Sequence, residues 1–439
     1  MDSIHVYGGA PLCGRLKIQG SKNAALPILA ASVLVPGVSV LHNCPRIEDV
    51  RLMCELLKTV GCLVAWEGHT VIVDASGVDI AAAESETALP SAYVEKMRSS
   101  VIFMGGLLGR VGEVSLKYPG GCVIGKRPID LHLWAMEQLG VVTRESEGGI
   151  TARAERLFGT TIRFPVSSVG ATENAVLAAA CAEGETILTH AAKEPEVSAL
   201  CSFLRSAGAV IWESGDGSIR IQGQKKLHGC EYTIPSDRIV SGTYLLGCMA
   251  AGGDICLKKA PVEELSALLR ILTKMGAEIS ITGEELRCQR AGRLVAAGHV
   301  VTAAYPGYPT DLQSQLLAVS VLADGNSSVT ETIFENRFRV VEELNRMGGN
   351  IRVEGNTAFV QGVKRLHGEH VMARELRGGA ALILAGLAAE GETVLYGREY
   401  IDRGYEDIAG DLQALGAHII YEEENGKYLR TEAASGQEK

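Results

Sequence analysis

The chain has 439 residues, of which 46% are hydrophobic, 21% charged and only 5% aromatic. That length suits two or three ordinary domains with cores of small aliphatic side chains, and 51 glycines supply many tight turns. A net charge of −10 excludes a generally basic nucleic-acid surface, and 11 scattered cysteines without Cys-x-x-Cys spacing read as reduced thiols rather than a disulfide framework or metal centre.

In chain order, the opening residues show no basic segment followed by an apolar one, so no secretory signal is read there. The longest apolar stretch, 24–41, is interrupted by Pro27, Pro36 and Gly37. It reads as a helix, turn and strand rather than a membrane span, and a cytoplasmic chain is expected. One pattern then recurs six times: an amphipathic helix, a glycine and a short strand. The glycines are Gly61, Gly140, Gly208, Gly276, Gly348 and Gly416, about 70 residues apart, a period that suits a compact α/β unit. Each unit also carries a nearly all-apolar helix, expected over 23–33, 94–108, 172–182, 238–251, 311–322 and 380–389. Helices apolar all round must be buried, so sheets are expected to wrap around them. The reading is an α/β protein of two similar domains with three units each. The boundaries are expected at 22–235 for the first domain and 1–21 plus 236–439 for the second. Strands at 3–6 and 16–18 complete the second, because the first domain's helix starts only near Lys22.

Polar residues gather where these helices begin. They are Ser21, Lys22 and Asn23, then Arg98, then Ser168, Val169 and Gly170, then Asp237 and Arg238, then Thr310 and Asp311, then Arg377. Arg127, Pro128, Ile129 and Asp130, then Arg337, then Arg403 and Gly404 are read as repeating the habit at the second helices. Asp, Ser and Thr are ordinary caps, but a cation there opposes the helix dipole and needs another reason. Helix N-termini bind anions, and arginine adds bidentate bonds to phosphate or carboxylate. If two such domains face each other, these ends line one cleft. Each charge-assisted contact contributes about 1.5–3 kcal/mol, enough in sum to hold a multiply charged ligand.

The segment 118–128, Tyr-Pro-Gly-Gly-Cys-Val-Ile-Gly-Lys-Arg-Pro, is a glycine-rich loop that sets Cys122 beside two cations. Nearby positive charge favours thiolate, the setting of a reactive cysteine, whereas Cys181, Cys201 and Cys248 sit in apolar helical patterns and read as core. No Gly-x-Ser-x-Gly elbow, Walker loop or His-Glu-x-x-His occurs. The glycines of 104–109 lie late in an apolar helix and not between strand and helix, so they make no dinucleotide fingerprint.

Several motifs carry a specific resemblance along almost the whole chain, from Ile4 to about Ile420. They are Gly-Ser-Lys-Asn-Ala-Ala-Leu-Pro at 20–27, Pro-Gly-Gly-Cys-Val-Ile-Gly at 119–125 and Arg-Pro-Ile-Asp-Leu-His at 127–132. Further on come Ser-Val-Gly-Ala-Thr at 168–172, Tyr-Pro-Thr-Asp at 308–311, Phe-Glu-Asn-Arg-Phe at 334–338 and Ile-Asp-Arg-Gly-Tyr at 401–405. Together they resemble the UDP-N-acetylglucosamine 1-carboxyvinyltransferases, of the enolpyruvyl transferase family. The resemblance implies two inside-out α/β domains with an active-site cleft between them. It also implies addition of a sugar 3'-hydroxyl to C2 of phosphoenolpyruvate, with C3 protonated and phosphate then expelled, in peptidoglycan precursor synthesis. No metal or organic cofactor is implied, and neither nucleic acid nor membrane is an expected partner. By the same resemblance Cys122 is the general acid and Asp311 takes the hydroxyl proton. Lys22, Arg127, Arg337, Arg377 and Arg403 surround phosphate and carboxylate. Asn23, Arg98, Asp311 and Ile333 touch the sugar or intermediate. Arg127, Pro128, Ile129, Asp130 and Leu131, with Ser168, Val169 and Gly170, form the uridine and diphosphate site.

Some positions depart from the usual pattern. Glu-Leu-Arg-Gly at 375–378 stands where the family usually has Asp-Leu-Arg-Ala, Tyr400 replaces a frequent histidine, and Lys117-Tyr118 leads into the cysteine loop. The extra methylene of Glu375 is expected to displace its carboxylate. Two other readings compete: an enolpyruvyl transferase acting on shikimate 3-phosphate, and a diverged paralogue that only holds UDP-sugar.

Overall fold

A computed structural model describes residues 2–78, 89–120, 128–224, 226–422 and 428–429. The chain divides into two compact units, one built from 20–120 and 128–235, the other from 2–19 and 236–429. Six central helices, α1 to α6, are Lys22–Ala31, Phe103–Val111, Val169–Ala179, Arg238–Ala251, Gln313–Ser320 and Leu376–Ala388. In the first unit α2 packs on α3 and on α1; in the second, α4, α5 and α6 all pack on one another. Every residue of α4 except Ala251 is buried. Sheets cover the outside, so each unit has helices within and strands without.

The repeat is visible in the sheets. In the first unit Glu231–Thr233 runs parallel to Val38–His42, which is followed across the sheet by Thr70–Asp74 and Leu63–Glu67. Leu12–Lys17 and Gly253–Lys258 begin the same order in the second unit, and His299–Val301 and Asn326–Thr330 begin it again. In the last repeat Ser3–Tyr7 takes the place of the hairpin's returning strand, antiparallel to both Glu392–Tyr396 and His418–Glu422. The six repeat glycines share one conformation, with φ of 92°, 93°, 97°, 103°, 94° and 95°. Only glycine adopts this left-handed geometry freely, so each ends its amphipathic helix and turns the chain into the next strand.

The helix expected over 94–108 is in fact three pieces: Ser91–Val94, a 3-10 turn Arg98–Ile102, and α2. Gly120 explains the break. Its N–H donates to the Val94 carbonyl at 3.2 Å, taking the acceptor that a continuing helix would offer to Arg98. A side chain at 120 would meet the Glu95 carbonyl at 1.6 Å, so glycine is required. The glycines at 105 and 106 therefore lie early in α2, where Asn174 Oδ1 accepts from Gly105 N at 2.7 Å and binds α2 to α3. Cys201 and Cys248 are buried core residues, while Cys181 lies just past the end of α3 and is only partly buried. Among the described residues, no helix is long and apolar enough to cross a membrane, and no group of three or more His, Cys, Asp or Glu is placed to hold a metal ion.

Candidate active site

In the first unit the Ser21 hydroxyl caps α1, accepting from Ala24 N at 3.3 Å, so Lys22 and Asn23 stand in the first turn. Lys22 Nζ is 2.7 Å from Asp49 Oδ2, with the two side chains 11% and 3% exposed. A cation at this end of a helix is opposed by the dipole, and the buried carboxylate offsets that. Arg98 opens its 3-10 turn and donates from Nη2 to the Pro128 carbonyl at 2.7 Å, which brings two of the expected residues together. Ile129 is buried, and Asp130 and Leu131 begin the helix Asp130–Gln138. Ser168 stands at the N-cap of α3 without a side-chain cap bond, and Val169 and Gly170 are its first two residues. Gly170 fits against His132: a Cβ there would meet the ring at 2.9 Å. Cys122 and Arg127 lie outside the described residues.

In the second unit three expected residues converge. Arg337 Nη2 is 2.5 Å from Asp311 Oδ1, and Arg377 Nη2 donates to Oδ2 at 3.0 Å. The arginine side chains are 3% and 4% exposed and the carboxylate 25%. Burial opposes ionisation of Asp311, but Arg377 and Arg337 outweigh it and Arg238 adds to them, so the carboxyl is held well below the usual range. Among the described residues, Arg337 Nε and Arg377 Nη1 are buried and have no hydrogen-bond partner. Buried guanidinium donors left over after an ion pair are places for further anionic oxygens.

Glu375 caps α6, accepting from Arg377 N at 2.8 Å and from Gly378 N, and it lies 3.5 Å from Arg337 Nη1. Its extra methylene therefore does not carry the carboxylate away from this cluster. Gly378 makes the room, since a Cβ at 378 would stand 2.8 Å from Glu375 Oε1. Ile333 is 42% exposed on a loop held by Glu331, which accepts from Ile333 N, Phe334 N and the Thr310 hydroxyl. Arg403 departs from expectation. It follows the short helix Arg398–Ile401 and does not open the next one, because Asp407 caps Ile408–Ala414 by accepting from Gly410 N at 2.8 Å.

Asp49 and Arg238 stand beside the expected site residues Lys22 and Asp311, although sequence reasoning does not single them out as site members. Asp49 follows Glu48 in the first turn of Glu48–Thr59, where acidic residues read as dipole partners. Arg238 had a signal, a cation opening an apolar helix; it is 8% exposed, with Cζ 5.9 Å from the Tyr305 ring centre. The buried cysteines contrast with a reactive one: burial pushes Cys54, Cys62 and Cys201 up to about 12.

A family model described as EPSP synthase (3-phosphoshikimate 1-carboxyvinyltransferase) matches residues 6–427. UDP-N-acetylglucosamine 1-carboxyvinyltransferase 2 of Caldanaerobacter subterraneus subsp. tengcongensis is 46% identical over 420 residues, covering 96% of this chain and 99% of that protein. UDP-N-acetylglucosamine 1-carboxyvinyltransferase of Nitratidesulfovibrio vulgaris (strain DP4) is 46% identical over 424 residues, covering 97% and 100%. Among solved structures, the enolpyruvyl transferase NikO from Streptomyces tendae matches with a TM-score of 0.86 at 26% identity, over 96% of this chain and 98% of that one. EPSP synthase from Acinetobacter baumannii matches with a TM-score of 0.72 at 18% identity, over 96% and 100%, a likeness of fold alone. The repeated inside-out architecture and the full-length similarity agree: this chain belongs to the enolpyruvyl transferase family, among the UDP-N-acetylglucosamine 1-carboxyvinyltransferases.

Proposed function

We propose that the protein transfers the enolpyruvyl group of phosphoenolpyruvate to the 3'-hydroxyl of UDP-N-acetylglucosamine, releasing phosphate, as a cytoplasmic step of peptidoglycan precursor synthesis. The observation that carries this is Asp311 between Arg337 and Arg377, whose spare buried donors suit an anionic reactant, in a chain so similar to enzymes of that name. Addition forms the C2–O bond, Cys122 supplies the proton to C3, and Asp311 receives the hydroxyl proton. Expulsion of phosphate from the tetrahedral intermediate, with loss of a C3 proton, restores the double bond. Lys22, Arg127, Arg337, Arg377 and Arg403 hold phosphate and carboxylate, and charge placed where it develops is usually the largest catalytic contribution. Asn23, Arg98 and Ile333 contact the sugar or intermediate. Arg127 to Leu131 and Ser168 to Gly170 take uridine and diphosphate.

Asp311 meets a condition here. A carboxylate gripped by two guanidiniums is a weak base, so the reactant's own anionic groups must draw the arginines away before it accepts a proton. Phosphate release from phosphoenolpyruvate should require UDP-N-acetylglucosamine. Release with shikimate 3-phosphate instead would favour the other transferase, and sugar binding without release would favour a binding paralogue.

A further inference from the structure

Arg377 gives Nη2 to Asp311, and its guanidinium stands beside Tyr405, with Cζ 5.9 Å from the ring centre. Tyr405 is 1% exposed, and none of the roles above uses it. Burial raises its pKa, and the charge of the Arg377 guanidinium works the other way. The phenol oxygen lies 2.8 Å from Thr243 Oγ1 on α4.

Counting protons fixes the direction of that bond. Thr243 has a single O–H, and it is donated to the Ile239 carbonyl at 2.9 Å. Gln315 Nε2 on α5 donates to the same hydroxyl oxygen at 3.2 Å. Toward Tyr405, Thr243 has only a lone pair left, so Tyr405 must donate its proton there. The phenol oxygen is then left with lone pairs alone, and a guanidinium can only donate. The polarity runs one way, from Tyr405 to Thr243 to the backbone of α4, which leaves the phenol oxygen only lone pairs to offer the neighbouring Arg377 guanidinium.

We propose that Tyr405 is a positioning residue for Arg377, its oxygen held as an acceptor by Thr243 and Gln315 so that the guanidinium faces the reactant anion. This rests on the assignment of Arg377 to that anion. Aligned bonds in a chain strengthen one another in a low-dielectric interior, and each of these side chains comes from a different helix or turn of the unit. The guanidinium is therefore referenced to the packing of α4 and α5 as well as to its own helix.

Tyr405→Phe, Thr243→Val and Thr243→Ser test this. Tyr405→Phe should raise the KM for phosphoenolpyruvate at least about tenfold, since small displacements of a positioning cation are costly. Affinity for UDP-N-acetylglucosamine, measured by calorimetry, should stay within twofold. Thr243→Val should shift KM in the same direction by less, and Thr243→Ser should restore it. A merely structural role would lower the melting temperature and leave KM unmoved. A folded Tyr405→Phe protein with parental KM and kcat would overturn the proposal. If the parent protein itself released no phosphate, the assigned reaction would fail separately. The positioning claim would then be read from guanidinium NMR signals of Arg377, identified by Arg377→Lys. Slow guanidinium rotation in the parent and faster rotation in Tyr405→Phe are expected; equal rates would refute it.

Discussion

Replacing Gly378 with alanine should impair this protein but not a version carrying aspartate at 375. The new Cβ would lie 2.8 Å from Glu375 Oε1, closer than such atoms approach. The carboxylate must then shift, moving Oε1 off Gly378 N first and loosening the hold of Oε2 on Arg377 N and Arg337 Nη1. Losing an N-cap costs about 1 kcal/mol, and alanine gains up to about 1 kcal/mol over glycine inside a helix, so the single variant should melt close to the parent. Activity should not be spared, because a misplaced Arg337 can cost up to about 100-fold. We expect kcat/KM for phosphoenolpyruvate to fall at least about tenfold in Gly378→Ala. It should recover in the double variant Glu375→Asp, Gly378→Ala, whose shorter carboxylate fits beside a methyl group. The double variant should also melt about 2–4 °C higher than Glu375→Asp alone, the helix gain being unopposed. Phosphate release at saturating sugar, together with thermal melts, measures both. Simple additivity of the two substitutions, or an unchanged kcat/KM in Gly378→Ala, would refute the coupling.

Asp49→Asn breaks a nearly sealed ion pair, and removing one partner of such a pair costs about 3–5 kcal/mol. Its melting temperature should drop by several degrees and its KM for phosphoenolpyruvate should rise, whereas a purely structural pair would change the melt alone. Asp411 accepts from Tyr244 at 2.5 Å, and burial raises its pKa to about 6. A raised carboxyl stabilises the fold fully below its unfolded pKa of about 4 and loses that contribution as pH rises through 6, about 2–3 kcal/mol in all. Denaturation at several pH values should show this decline in the parent and a flatter profile in Asp411→Asn. Cys122→Ser should abolish turnover, since a hydroxyl is too weak an acid, while Cys122→Asp should retain measurable turnover and lose alkylation by a small phosphonate epoxide. Parental turnover in Cys122→Ser would remove Cys122 from the acid role.

The repeat was legible because each unit must solve the same problem twice over, burying an apolar helix and ending an amphipathic one at a left-handed glycine. The Asp311 cluster was legible because cations at helix starts contradict the dipole and so point beyond stability. Arg403 misled for a local reason: Asp407, four residues later, is the better cap, and a single sequence offers both. The break after Val94 was hidden because its cause is Gly120, distant in sequence and visible only once the chain folds back onto it. Asp49 was hidden for the opposite reason, its position already having an adequate local explanation. Glu375 looked like a defect until Gly378 was set beside it in space.

The seat of Ser3–Tyr7 has a consequence for biosynthesis. A ribosome makes this strand long before its partners; His5 and its bonded neighbour Glu392 are 387 positions apart. The unit containing α1 to α3 draws every strand from a shorter span and closes when Glu231–Thr233 aligns with Val38–His42. The other unit must keep an apolar strand unpaired throughout that time, an exposed edge of the kind that invites mispairing. Nascent chains arrested before residue 392 should therefore hold one finished unit and one that needs protection, with Ser3–Tyr7 as the segment to be shielded.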